Sequence, residues 1–180
     1  MKLIFCPLEK IKFNEEVMDL YLQLHKKLQS IYGISRLSAS KFCSIFQFGD
    51  VGNKKILELG CGSNNSKDCF LGSRTFEPWL LRALHEHRTN PIGIDIGGLE
   101  DELFEGYSID LSKERALDLF QDNSFDIVCA YSFFDAPSVN FCGTSKSTFN
   151  KLIPQLERIT KSEGYFLLDA TGLNLNQNDY

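Results

Sequence analysis

The residues best suited to chemistry lie where short apolar runs break into glycine or aspartate. Ile56-Leu57-Glu58-Leu59-Gly60-Cys61-Gly62-Ser63-Asn64 is an apolar strand entering a tight turn with glycine at alternate positions. Gly60 and Gly62 can take positive φ and carry no side chain, so a ligand can lie against the backbone there. A turn with no ligand demands glycine equally often. A dinucleotide fingerprint wants GxGxxG, and counting from Gly60 its last place falls on Asn65. The next run, Pro91-Ile92-Gly93-Ile94-Asp95, ends in a carboxylate placed to accept two ribose hydroxyls. Charge-assisted hydrogen bonds of that kind contribute on the order of 1.5 to 3 kcal/mol each when dry. A turn aspartate before Gly97-Gly98 reads the same way. The third run, Tyr107-Ser108-Ile109-Asp110, again ends in aspartate, which either accepts from an adenine amino group or caps a helix after it.

A fourth run leads into Tyr131-Ser132-Phe133-Phe134-Asp135-Ala136-Pro137-Ser138. Its aromatics can wall a cation and Asp135 can accept a proton from a hydroxyl or amine. Phe133 and Phe134 fit a core, and Asp135 a cap before Pro137, just as well. His85 and His87 tempt a metal reading, but residues two apart on a helix do not share a face, and no metal site is expected. No serine or cysteine sits in a nucleophile elbow, so hydrolase chemistry has no support.

These residues need an alternating scaffold. Strands are expected at Lys55-Leu59, Pro91-Asp95, Gly106-Ile109, Phe125-Tyr131 and Tyr165-Asp169. Between them fall a helix at Glu77-His87, short helical or loop pieces near Leu99-Phe104 and Lys113-Phe120, and a helix at Thr148-Thr160. Such alternation requires an α/β fold with a doubly wound, mostly parallel sheet. Ahead of it, Val17, Leu20, Tyr21, Leu24, Leu28 and Ile31 recur at helical steps behind a capping Asn14, with Gly33 as a stop. A second helix is expected over Ser38 to Phe48. Residues 1–50 thus read as a helical N-terminal extension and 51–180 as the ligand-binding domain, with the tail Asn174-Tyr180 polar and frayed.

With these pieces in order, the chain resembles the class I, Rossmann-like S-adenosylmethionine-dependent methyltransferases, nearest to their small-molecule-type group. The resemblance runs from about Lys54 to Thr171. It passes through Glu58-Leu59-Gly60-Cys61-Gly62, Gly93-Ile94-Asp95, Ile109-Asp110-Leu111, Asp122-Asn123-Ser124-Phe125-Asp126-Ile127-Val128, and Leu156 to Phe166. It implies strand order 3-2-1-4-5. It also implies that Glu58, Gly60, Cys61, Gly62 and Asn64 hold the methionine end of the cofactor, that Asp95 with Ile96 holds the ribose side, and that Asp110 with Leu111 holds the adenine. Tyr131 would face the sulfonium, and Tyr131 and Asp135 would serve the acceptor. The expected activity is methyl transfer from S-adenosylmethionine, yielding S-adenosylhomocysteine, to a small-molecule acceptor. The alternative is an inactive cofactor-binding scaffold or partner-binding subunit on the same fold.

The departures from the family pattern are specific. Asn64 replaces its third glycine, Ser63 to Phe76 intervenes before the next helix as a lid or substrate loop, and Ser162-Glu163 stands where the family has proline and glycine. The sheet is expected to lack the last two strands of the family. Its fifth strand would then be left as an open edge, to be covered by a homodimer or a partner.

Composition bounds the partners. The 24 acidic and 19 basic residues give a net charge of -5 with no long run of one sign, so nucleic acid is not indicated. The six cysteines form no CxxC pair, which fits a reducing compartment. No apolar run reaches the roughly 18 to 20 residues of a membrane span, and Met1 to Pro7 is too short in apolar residues for a secretory leader, so a cytoplasmic protein is expected.

Overall fold

The computed structural model describes residues 1–6, 8, 11–28, 36–64, 77–131, 133–134 and 145–169. Among them six strands form one sheet: β1 (Lys2–Phe5), β2 (Lys55–Leu59), β3 (Asn90–Asp95), β4 (Glu105–Ser108), β5 (Phe125–Ala130) and β6 (Thr160–Leu168). Their order is β1-β6-β5-β2-β3-β4, and every neighbouring pair is parallel. The expected 3-2-1-4-5 order is therefore present as β4-β3-β2-β5-β6. The class is α/β, with helices on both faces of a parallel sheet.

Both faces are covered because the central strands are apolar on both sides. In β2, Ile56 and Leu57 are fully buried although they point to opposite faces. Ile56, Ile127, Cys129 and Leu167 pack beneath α1 (Glu15–Leu28), α2 (Arg36–Phe46) and α3 (Trp79–Glu86). Leu57, Val128, Ala130 and Phe166 pack beneath α4 (Ser145–Ile159), whose Phe149, Leu152, Leu156 and Ile159 recur at steps of three and four. Asn14 caps α1 as its type predicts: its Oδ1 accepts from the N–H groups of Glu16 at 2.9 Å and Val17 at 3.3 Å. The proposed stop at Gly33 and the polar tail lie outside the described residues.

One expectation is corrected. The fifth strand of the core order, β6, has no open edge, because Lys2–Phe5 pairs along it with Lys2 opposite Tyr165 and Phe5 opposite Leu168. The Cys6 N–H extends the pairing to the Leu168 carbonyl at 2.8 Å. The segment read as wholly helical thus opens with a sheet strand, and no dimer or partner is needed to cover β6.

Two smaller features have local causes. Lys113 to Phe120, expected as a short helical or loop piece, is a series of turns. Its polar backbone is satisfied from α4, with the Arg158 guanidinium donating to the Leu117 and Phe120 carbonyls at 2.9 and 2.7 Å and Gln155 accepting from the Leu117 N–H at 2.9 Å. β6 begins at Thr160, earlier than expected, because α4 runs directly into it through an irregular register. Phe125 faces Thr160, whereas Ile127 faces Tyr165, so Ser162 and Glu163 are carried in the bulge.

Candidate functional site at the sheet's switch point

Strand order reverses between β2 and β5, and in parallel sheets the crevice outside the carboxyl ends at such a point is where ligands bind. Gly60 and Gly62 lie there with φ of 66° and 94°, a conformation that side chains disfavour. The N–H groups of Gly60 and Cys61 donate to the Ile94 carbonyl at 2.8 and 3.1 Å, which hangs the turn from the end of β3.

Asp95 completes that attachment. Its Oδ2 accepts from the Gly62 N–H and its Oδ1 from the Gly97 N–H, each at 3.0 Å. Asp95 is thus a turn aspartate, and each of its oxygens keeps a further lone pair. Beside it Ile96 is 63% exposed. The Ser108 hydroxyl donates to the Ile96 carbonyl at 3.0 Å and ties this turn to β4.

Asn64, the departure from the glycine pattern, has a structural use. Its amide donates to the Glu100 carbonyl and to Glu102 Oε1 at 2.8 Å, and its Oδ1 accepts from the Glu100 N–H at 2.8 Å. The Ser63 hydroxyl donates to the Gly98 carbonyl at 2.7 Å. Glu102 is also gripped by the Arg82 guanidinium, which reaches Glu77 with its other arm; these hydrogen bonds push the Arg82 pKa still higher. The glycine turn and the 97–102 loop are thus one clamped unit. Most of the intervening segment, residues 65–76, lies outside the described residues.

No helix follows Asp110 for it to cap; its side chain instead closes the local turn. Its Oδ1 accepts from the Ser112 hydroxyl at 2.6 Å and the Ser112 N–H at 3.0 Å, and these bonds, with Lys113 nearby, hold its carboxyl below the usual range. Leu111 is buried in the core beneath it.

Glu58 is the anomaly of the site. It is 4% exposed in an otherwise apolar strand, and its Oε2 has no hydrogen-bond partner. Burial, with a lesser contribution from the Asp95 charge and opposed by Lys41, pushes its carboxyl up to about 8. Cys61 is buried behind the turn, its thiol donating to the Gly62 carbonyl at 3.3 Å.

Tyr131 lies 2% exposed at the end of β5, with its hydroxyl hydrogen-bonded to that of Ser44 on α2. Burial pushes its phenol well above the ordinary range. Phe133 covers the glycine turn: a β-carbon on Gly60 would meet its ring. Phe133 packs edge-on against Phe134, which packs against Phe149 of α4. Asp135 lies outside the described residues. His85 and His87 line different surface grooves, and among the described residues no group of three His, Cys, Asp or Glu side chains is arranged to hold a metal.

Near the carboxyl ends of β2, β3 and β4 the chain offers the carboxyl groups of Glu58, Asp95 and Asp110, beside two positive-φ glycines. Acceptors so placed could hold the hydroxyl and amino groups of a nucleoside. Sequence reasoning missed Ser44 on the α2 side of the site and the role of Phe133 as a cover. Ser44 signalled itself only as a small polar residue in an apolar helix face.

No protein-family model matches the chain, and no curated protein matches it significantly. Among solved structures, it is similar to a chain of the complex between the Haloferax volcanii Trm112 methyltransferase activator and a candidate methyltransferase, with 18% identity and TM-score 0.44. That match covers 84% of this chain and 57% of the other. It is also similar to the CurJ carbon methyltransferase, with 13% identity and TM-score 0.42, covering 89% of this chain and 42% of that one. The chain therefore spans about half the length of the structures it resembles. Among the described residues no helix is long and apolar enough to cross a membrane.

Proposed function

We propose that this chain is an S-adenosylmethionine-dependent methyltransferase domain. The observation that carries the reading is the joint made by Asp95, whose carboxylate ties the end of β3 to the Gly62 N–H of the turn after β2 at the switch point. Glu58 and the Gly60 to Gly62 turn, with Cys61 and Asn64, would hold the methionine end. Asp95 and Ile96 would hold the ribose, and Asp110 and Leu111 the adenine side. When bound, the cofactor supplies a methyl group on a positively charged sulfur, open to attack by an acceptor lone pair. The chain's own contribution is then to hold, orient and keep dry, work that needs no nucleophile constellation.

Tyr131 and Asp135 are the acceptor-side residues of this proposal, and a small molecule is the acceptor class. Outside β1, which belongs to the sheet itself, the N-terminal extension within residues 1–50 is the substrate-facing or lid segment of this proposal, over a cofactor domain at 51–180. A reducing, cytoplasmic setting accords with Cys6, Cys43, Cys61 and Cys129, all free and buried thiols; burial pushes Cys6 and Cys43 up to about 11.

The test is calorimetric titration of the chain with S-adenosylmethionine and S-adenosylhomocysteine, with NADH as the control and Asp95→Ala alongside. Binding of the sulfur ligands that disappears in Asp95→Ala is the expected outcome. Absence of binding to both, or a preference for NADH, would overturn the reading.

A further inference from the structure

The two outer strands of the sheet are not alike. β1 begins at Lys2 and is followed in sequence by Pro7, and lysine and proline both discourage a further strand from pairing. β4 reads Glu105-Gly106-Tyr107-Ser108, with no lysine, no proline and no bulge in its pairing with β3. Among the described residues no strand pairs with its outer side, which leaves backbone N–H and C=O groups open there.

The three most exposed large hydrophobic side chains among the described residues all border this strand. Leu103, 78% exposed, stands two residues before it. Ile96 lies at its far end, where the Ile96 carbonyl accepts from the Ser108 hydroxyl at 3.0 Å. Leu119, 48% exposed, adjoins Phe120, whose ring meets that of Tyr107 edge-on at 5.4 Å. Exposed apolar side chains scattered singly are ordinary; three grouped at one open edge suit cover by another chain.

Charge decides which chain. Residues 96–110 carry the carboxylates of Glu100, Asp101, Glu102, Glu105 and Asp110 and no lysine or arginine. Arg82 neutralises Glu102, and Lys113 lies 3.5 Å from Asp110. Glu100, Asp101 and Glu105 are exposed and belong to no ion pair among the described residues. A second copy docking through the same edge would bring these carboxylates to one seam, like charge against like. A segment bearing lysine or arginine meets them with opposite charge.

We infer that β4 is a docking edge for an extended, cationic segment of a partner protein, which adds to the six-stranded sheet beside Glu105–Ser108. Backbone pairing holds the segment, Leu103 and Leu119 receive its apolar side chains, and the three carboxylates select its cationic ones. Nothing in this docking depends on which ligand the switch point holds.

The test adds a short peptide alternating lysine with valine to the full chain and reads amide exchange. One control peptide has glutamate in place of lysine. Another is N-methylated along its backbone, so that it keeps the charges and cannot pair as a strand. The lysine peptide should slow exchange at Glu105 to Ser108, and neither control should. Its affinity, read by fluorescence anisotropy, should fall about tenfold or more in Glu100→Lys/Glu105→Lys and about fivefold in Leu103→Ser, all at solvent-exposed positions. No slowing at β4 with the lysine peptide overturns the docking edge. Equal slowing by the N-methylated peptide would mean charge attraction without strand addition, and equal slowing by the glutamate peptide would remove the charge selection; either overturns the inference. A concentration-dependent dimer that protects the same amides without peptide would put a second copy there instead, and overturns it too.

Discussion

The ring of Phe133 occupies the space where Gly60 would carry a β-carbon: an atom placed there would lie 2.6 Å from Cδ2 of Phe133 and 3.2 Å from its Cβ. The loop after β5 is thereby packed onto the turn after β2, across the point where strand order reverses. Any ligand lying on that turn shares its surface with this ring.

Gly60→Ala should therefore be costly for two reasons, its φ of 66° and the contact with Phe133. A loss of about 2 to 4 kcal/mol is expected in urea denaturation. Adding Phe133→Ala in the same background should recover part of it. If the two losses simply add, the steric contact is not the cause.

Asp95 fastens two backbone N–H groups with one carboxylate. Asp95→Ala orphans both and should cost about 2 to 3 kcal/mol, while Asp95→Asn, with a single acceptor oxygen, should cost about half of that. Chemical denaturation of the three proteins checks the order. Equal stability of Asp95→Ala and wild type would mean the turn stands without its fastening.

Glu58 makes stability depend on pH with a defined sign. Its folded value of about 8 lies above its ordinary 4.5, so the folded chain binds the extra proton between those limits. Stability from this group is full below about pH 4.5 and is lost as pH rises through 8. Glu58→Gln should flatten that part of the profile and be the more stable protein at pH 9 by roughly 2 to 4 kcal/mol. Parallel profiles for the two proteins would contradict the burial argument. An ammonium ligand at Glu58 favours the charged form, so S-adenosylhomocysteine should bind more tightly as pH rises from 6 to 8 in wild type and not in Glu58→Gln.

Asn64 bonds three groups of the 100–102 loop. Asn64→Gly adds a third glycine to the turn but removes that clamp, and a loss of about 1 to 2 kcal/mol is expected by thermal melting. Faster amide exchange at Glu100 should accompany it. Unchanged exchange there would leave the clamp without effect.

The legible parts of this fold were local. β2, β3 and β6 announce themselves as short apolar runs closed by glycine or aspartate, and α1, α3 and α4 by apolar steps of three and four. Asp95 and the glycine turn were legible as a pair because both fall at strand ends of one sheet. β1 was not, because four residues with one apolar stretch carry no periodicity, and their partner strand lies at the other end of the sequence. The same holds for Ser44, whose meaning comes from its hydrogen bond with Tyr131 after β5. Glu58 was an intermediate case: a lone carboxylate between Leu57 and Leu59 is visible as an oddity, but its missing partner is not.

The pairing of β1 with β6 also sets the order in which the molecule can be made. Lys2 and Tyr165 are about 160 residues apart in the chain. Bringing such ends together costs on the order of 4 to 5 kcal/mol of chain entropy, recovered only once β6 is already seated. β1 is thus the last strand of the sheet to find its place. In the finished protein it should also be the first to let go, a slow and reversible closure at the edge of a sheet whose centre is already formed.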